Sequence, residues 1–205
     1  MVRCGKTIGL YHAIEKYMTV VEQMTMQAMN QDIVRELIER HGHIVEPMTF
    51  RLYGLEWDLL PGVYAPHLTQ GASLFIDWLP FPIDGTFCEI GCGCGYLSVM
   101  AAKRGCRHVV ACDVSPQAVT NTYKNISRHH VEPVVHARES DLFNDLDKHT
   151  KFDLIFWNSS FVDGDDFDND RGLNSAIYDR GYHTHEKFLK DSQHYLRSDG
   201  RVMLG

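Results

Sequence analysis

The feature that most constrains this chain is a run of alternating glycines, Glu89-Ile-Gly91-Cys92-Gly93-Cys94-Gly95, between an apolar segment, Thr86-Phe-Cys-Glu-Ile, and a helical stretch reaching Lys103 and closed by Gly105. Glycine lets a backbone turn tightly and approach a ligand with no Cβ in the way. A strand that breaks into such a turn and then a helix begins a strand–helix–strand unit. The alternation continues. His108–Asp113 reads as the next strand, and Ser115-Pro116 supplies an N-cap and a first-turn proline for a helix to about Arg128. Pro133-Val-Val-His-Ala reads as a third strand, and Phe152–Trp157, apolar nearly throughout, as a central fourth. Residues 186–197 read as a helix, and Gly200–Gly205 begins a fifth strand. The pattern predicts a doubly wound, mainly parallel α/β sheet with its ligand at the carboxyl ends of the strands.

The preceding residues are organised differently. Leu10, Ile14, Tyr17, Val21, Met24 and Ala28 form a helical stripe, followed by Ile33, Leu37 and Ile38, with Asn30 or Asp32 opening a second helix and Gly42 as its C-cap. Residues 48–66 read as a short hairpin, with turns at Gly54, Pro61-Gly62 and Ala65-Pro66, and Leu74, Phe75 and Trp78 fall at helical spacing within 69–79. The expected organisation is an N-terminal helical region over 1–45, a β-hairpin linker over 46–68 and the main domain over 69–205.

Composition removes several classes. With 205 residues, 44% apolar and 23% charged, the chain has the makeup of one soluble domain, alone or with a small appendage. No stretch approaches the roughly 18 consecutive apolar residues of a membrane span, and Met1-Val2-Arg3-Cys4-Gly5-Lys6 has no apolar run behind it, against a secretory signal. Five of the six cysteines cluster between Cys88 and Cys112, without zinc-finger spacing, which points to reduced thiols in a cytoplasmic protein. His129-His130 and His183-Thr184-His185 lack the i, i+4 spacing of a metal pair, so no metal is expected. The balance of 20 basic against 27 acidic residues, net −7, disfavours nucleic acid as a partner.

The dinucleotide fingerprint G-x-G-x-x-G/A would need Gly or Ala at 96, where Tyr96 stands. Asp113 ends the next strand, 18 residues past Gly95, where a carboxylate can take both hydroxyls of a ribose. Glu89 through Gly95, Asp113 and Ser140-Asp141-Leu142-Phe143 together resemble the class I S-adenosylmethionine-dependent methyltransferases. The resemblance implies S-adenosyl-L-methionine as cofactor. Glu89, Gly91, Cys92, Gly93 and Gly95 would cup its methionine part, Asp113 and Val114 would hold the ribose, and Asp141 and Leu142 would lie near the adenine. An acid in the first position of the loop suits a cationic sulfonium better than a pyrophosphate.

Two further stretches resemble the HemK/PrmC-type protein-glutamine N-methyltransferases: Leu52-Tyr-Gly54 through Val63-Tyr-Ala-Pro66, and Asn158-Ser159-Ser160-Phe161, where that family has Asn/Asp-Pro-Pro-Tyr/Phe. The likeness covers about residues 50–205. It implies that Asn158 lies against cofactor and acceptor and orients the target nitrogen, while Phe161 covers it. His67, Ser159 and Ser160 become candidate substrate contacts, His67 also by position a candidate base. Two serines in place of two prolines, and Pro66-His67-Leu68-Thr69-Gln70 in place of Pro-Arg-Pro-Glu-Thr, favour a small-molecule acceptor. A protein side chain such as glutamine is the alternative, and a catalytically silent subunit a third reading. Asp163–Asp170 fails as a calcium loop and reads as a solvated loop or a lid favouring a cationic substrate. The family's sheet has seven strands, so its last strands are expected to be missing here and the chain to be a fragment. An uncovered sheet edge makes an oligomer an open expectation.

Overall fold

A computed structural model describes residues 32–69, 71–164 and 173–205 of the chain. Residues 32–42 are helical, and His41–Gly205 form one compact unit. Gly42 stays inside the helix without a left-handed φ, so it does not act as the C-cap expected of it. The stripe from Leu10 to Ala28 lies outside the described residues.

The unit opens with a hairpin, β1 (Met48–Leu52) and β2 (Leu55–Leu59), paired antiparallel with Leu52 opposite Leu55. Its two-residue turn, Tyr53-Gly54, takes positive φ at both positions (53° and 74°), the twist that matches paired strands. Alternation turns Phe50, Trp57 and Leu59 inward. Helix α1 (Gly71–Trp78) follows, and then β3 (Thr86–Ile90), α2 (Tyr96–Lys103), β4 (His108–Asp113), α3 (Pro116–Arg128), β5 (Val135–Glu139), β6 (Phe152–Trp157), α4 (Leu173–Ile177), α5 (His183–Ser192) and β7 (Leu196–Leu204).

The five later strands make one parallel sheet in the order β5-β4-β3-β6-β7. The chain builds outward from β3 through β4 to β5, then returns to place β6 on the other side of β3. Strand order therefore reverses between β3 and β6, and in open α/β sheets the crevice at such a point is where ligands bind. Both faces are covered. Phe87, Val109, Ala111, Val135, Ala137, Leu154 and Phe156 face one apolar layer, while Cys88, Ile90, Val110, Cys112, Ile155 and Trp157 face the other with Phe188 and Tyr195. This is the doubly wound fold that the strand–helix alternation predicts.

Three boundaries differ from the sequence-based expectation. The third sheet strand begins at Val135 rather than Pro133, because the Val134 and Val135 amides turn back onto the Val131 carbonyl. Helix α5 starts at His183 rather than 186 and ends at Ser192, since the Asp179 carboxylate takes the amides of Thr184 and His185 and caps it early. Strand β7 starts at Leu196, opposite Phe152, with an irregularity before Arg201 pairs with Leu154. The five described cysteines are buried free thiols.

Two asparagines bind the hairpin to the sheet layer. Asn121 and Asn125, four residues apart on α3, are both fully buried. Asn121 Oδ1 accepts from the Leu60 amide (2.8 Å), and its Nδ2 donates to the Asp58 carbonyl (2.8 Å). Asn125 Oδ1 accepts from the Asp58 amide (2.8 Å), and its Nδ2 donates to the carbonyls of Asp58 (2.9 Å) and Cys94 (2.8 Å). One side chain thus ties β2 to the glycine loop. Outside, Arg128 makes ion pairs with Glu56 (2.7 Å) and Asp58 (2.8 Å). Exposed pairs of this kind contribute at most about 1 kcal/mol, whereas each buried group left without its partner costs about 1–3 kcal/mol. Asn125→Ala is therefore expected to lower the unfolding free energy by about 3 kcal/mol in urea titration, and Arg128→Ala by less than half of that.

Candidate active site

Pairing of β3 with β6 sets Ile90 level with Trp157, so the glycine loop and Asn158 leave the sheet side by side. Gly91, Gly93 and Gly95 all have positive φ (66°, 55° and 80°). Their reasons differ. A Cβ on Gly91 would lie 3.2 Å from Trp157 Nε1, and one on Gly95 would lie 2.7 Å from the Thr122 methyl carbon. A Cβ on Gly93 would meet nothing within 4 Å. Two glycines therefore serve close packing, and the middle one, its amide held by Asp113 and its carbonyl by the Thr122 hydroxyl, leaves a strip over its Cα free of neighbouring side chains.

The acids stand on either side of this strip. Glu89 is 2% exposed, and its carboxyl accepts a hydrogen bond from the Ser98 hydroxyl on α2. Burial pushes its pKa up to about 8. The Ser98 bonds work against the rise, and the Asp113 charge adds to it. At the end of β4, Asp113 accepts from the amides of Gly93 (2.8 Å) and Ser115 (2.9 Å). Burial also raises the Asp113 pKa, against those amide hydrogen bonds. Val114 beside it is half-buried.

Other positions singled out in the sequence take varied places. Cys92 directs its thiol inward, 3.3 Å from the Thr122 hydroxyl, and its amide donates to the Cys112 carbonyl. Only its backbone faces the loop. Beyond β5, the Ser140 amide donates to the Asp113 carbonyl, which draws the 140–142 turn to the end of β4. Asp141 is exposed there, while Leu142 is buried with a left-handed φ of 52°. His67 lies in the Pro66–Leu68 turn, its ring stacked on Phe50 at 4.5 Å.

After β6, Asn158 is exposed and Phe161 is 51% exposed, whereas Ser159 and Ser160 are buried. Ser159 has a definite job. Its amide (3.3 Å) and its hydroxyl (2.9 Å) both donate to the Gly205 carbonyl, and the Gly205 amide returns a bond to the Trp157 carbonyl (2.9 Å). A proline could make neither Ser159 bond. The loop is held by ties to the end of β7 in place of ring stiffness. The amides of Phe161 and Val162 donate to the Ile177 carbonyl, and Val162 bridges to Tyr178. Of the acidic stretch that follows, Asp163 accepts from the Gly181 amide (2.7 Å), and residues 165–172 lie outside the described set.

Sequence reasoning missed three residues. Ser98 gave no signal beyond lying three positions past Gly95. Trp157 read as core, yet it packs against the glycine loop. Asp179, paired with His185, lies in a stretch to which the sequence assigned no element. No group of residues suited to a metal occurs among the described residues, and none of their helices is long and apolar enough to cross a membrane.

Comparison with known proteins agrees with this geometry. The methyltransferase small domain family matches residues 55–204. A Methanocaldococcus jannaschii protein named as a protein N5-glutamine methyltransferase is 30% identical over 77% of this chain and 78% of its own length. Ribosomal RNA small subunit methyltransferase C of Haemophilus influenzae is 28% identical over 71% of this chain, which spans only 39% of that longer protein. Net charge therefore gives no ground for excluding nucleic acid in this group. Among solved structures, a Thermus thermophilus 16S rRNA N2 G1207 methyltransferase in complex with AdoMet and guanosine shares the fold, with a TM-score of 0.55 and 22% identity over 78% of this chain and 41% of that one. A ribosomal protein L11 methylase from Lactobacillus delbrueckii subsp. bulgaricus does so with a TM-score of 0.51 and 24% identity, over 71% of this chain and 64% of that one. The strand-order reversal, the three-glycine loop between the buried Glu89 and the half-buried Asp113, and the match over residues 55–204 lead to one assignment: this chain belongs to the methyltransferase small domain family of class I S-adenosylmethionine-dependent methyltransferases.

Proposed function

We propose that this chain methylates a planar nitrogen, carried most naturally on a protein side-chain amide, at the crevice between the glycine loop and Asn158. The observation that carries the reading is the pairing of Ile90 with Trp157, which sets Asn158 beside the start of the glycine loop, with the exposed Phe161 ring three residues further on. The residues suit the cofactor. Gly93 leaves room for it, Asp113 offers oxygens with lone pairs still free for ribose hydroxyls, and Glu89 places a carboxyl where a cation would sit. Bound there, S-adenosylmethionine supplies an electrophilic methyl group on a sulfonium. This chain's part is positioning, which by itself can supply several kcal/mol of a barrier. Asn158 accepts hydrogen bonds from the target N–H groups and aims the lone pair, and Phe161 stacks on the planar target and excludes water.

Support for a protein acceptor comes from the relative named for glutamine methylation, which this chain parallels over most of its length. The small-molecule reading retains one observation in its favour, the Ser159-Ser160 pair in place of two prolines. A transfer assay with methyl-labelled cofactor against separated protein, RNA and metabolite fractions decides between them. Label in protein is the expected result, and label confined to metabolites or RNA overturns the acceptor.

Two substitutions test the roles. Asn158→Ala should lower transfer at least tenfold with S-adenosylhomocysteine affinity intact by calorimetry. Asp113→Ala should weaken that affinity by about 1.5–3 kcal/mol for each charge-assisted bond lost. NAD binding more tightly than S-adenosylhomocysteine would count against the cofactor site itself.

Glu89 gives a pH prediction with a definite sign. Its pKa in the folded chain, about 8, exceeds the ordinary 4.5. Between those values the unfolded chain has released a proton that the folded chain keeps, so folding stability falls as pH rises through that window. The slope is at most about 1.4 kcal/mol per pH unit. A cationic ligand favours the ionised form, so S-adenosylmethionine, with its sulfonium and ammonium groups, should bind more tightly as pH rises from 6 toward 8 and release a proton on binding at pH 7. Glu89→Gln should flatten both the stability slope and the binding slope. Unchanged slopes in that variant would remove Glu89 from the site.

A further inference from the structure

A second pair of titratable side chains lies against Trp157, the last residue of β6. Asp179 is 6% exposed and precedes α5, and its Oδ2 is 2.6 Å from His185 Nδ1. The same carboxylate accepts from the amides of Thr184 (3.1 Å) and His185 (3.0 Å). Burial opposes ionisation of Asp179, but the His185 ring and these amides outweigh it and hold the carboxyl below its usual range. The pair is anchored to the loop after Asn158, because the Asp179 amide donates to the Val162 carbonyl (2.9 Å). On its other side the His185 ring packs against Trp157 at 4.8 Å, and Trp157 is the residue whose indole nitrogen borders Gly91. One indole therefore separates the imidazole from the glycine loop.

This arrangement has chemical content. A carboxylate on Nδ1–H fixes the tautomer, leaves the Nε2 lone pair as the proton acceptor, and steadies the imidazolium that forms. Tyr182 and Asp179 are the titratable groups that the structure places against the ring.

We propose that His185 is the base that removes the acceptor's proton and that Asp179 is its positioning residue, an inference that rests on the methyl-transfer reading above. As the acceptor nitrogen's lone pair forms the N–C bond, the C–S bond breaks and its electrons pass to sulfur. The acceptor is left with a positive charge and one N–H too many. That proton passes to His185 Nε2 and then to water, so atoms and charge balance.

The test combines kinetics with a readout independent of turnover. Methyl transfer from labelled cofactor into whole-cell extract is followed against pH for the wild type, His185→Gln and Asp179→Asn, with S-adenosylhomocysteine affinity and thermal unfolding measured in parallel. His185→Gln should keep that affinity within twofold, slow transfer at least tenfold and abolish the fall in rate toward acid pH. Asp179→Asn should retain partial transfer with that fall displaced. Nitrogen NMR of the wild-type imidazoles should show His185 protonated at Nδ1 when neutral. Rates that track only the folded fraction, with the pH profile unmoved, would overturn the proposal, as would a neutral ring protonated at Nε2. A ring protonated at Nε2 overturns the proposal even if both variants unfold. An active wild type with an unaffected His185→Gln variant removes the base alone, while a wild type that labels no fraction removes the methyl-transfer reading and the base together.

Discussion

The parallel pairing of β3 with β6 holds Ile90 beside Trp157 and brings two segments remote in sequence to the same rim of the sheet. Each segment needs the other. Gly91 has no room for a side chain because the Trp157 indole is there, and Trp157 is covered by α5 because β6 lies inside β7. The acids follow from the same geometry. Glu89 is on the β3 face that meets Ser98 of α2, and Asp113 ends β4, the strand on the other side of β3. A carboxyl with its pKa near 8 is a cost of burial.

The sheet was largely legible in the sequence, because parallel strands buried on both faces read as unbroken apolar runs, and Phe152–Trp157 and His108–Asp113 fall where those runs fall. Helix α3 was equally plain from Ser115-Pro116, and the structure shows the Ser115 hydroxyl accepting from the Ala118 amide. Legibility failed where a tertiary bond moved a boundary. Asp179 starts α5 three residues early through side-chain contacts that no periodicity encodes. In the site, residues marked by glycine or by a carboxylate at a strand end could be found. Trp157 could not, since an aromatic closing an apolar strand looks the same whether it fills a core or borders a cleft. His185 was hidden among twelve histidines, its partner six residues away in a stretch with no periodic pattern to place it.

The hairpin is held by means unlike those of the sheet. Asn121 and Asn125 offer β2 the donors and acceptors that a neighbouring strand would have offered, from the side of a helix. Because Asn125 also holds the Cys94 carbonyl, movement of the hairpin reaches the glycine loop through one buried amide.

The ties of Ser159 to Gly205 bear on how such a loop can change over generations. A chain that stiffens this turn with prolines and one that pins it with a serine have reached the same rigidity by incompatible means. Introducing proline at 159 here removes both donors to the Gly205 carbonyl before any second proline can compensate. Passage between the two designs thus crosses a loosened intermediate, unless the end of β7 changes at the same time.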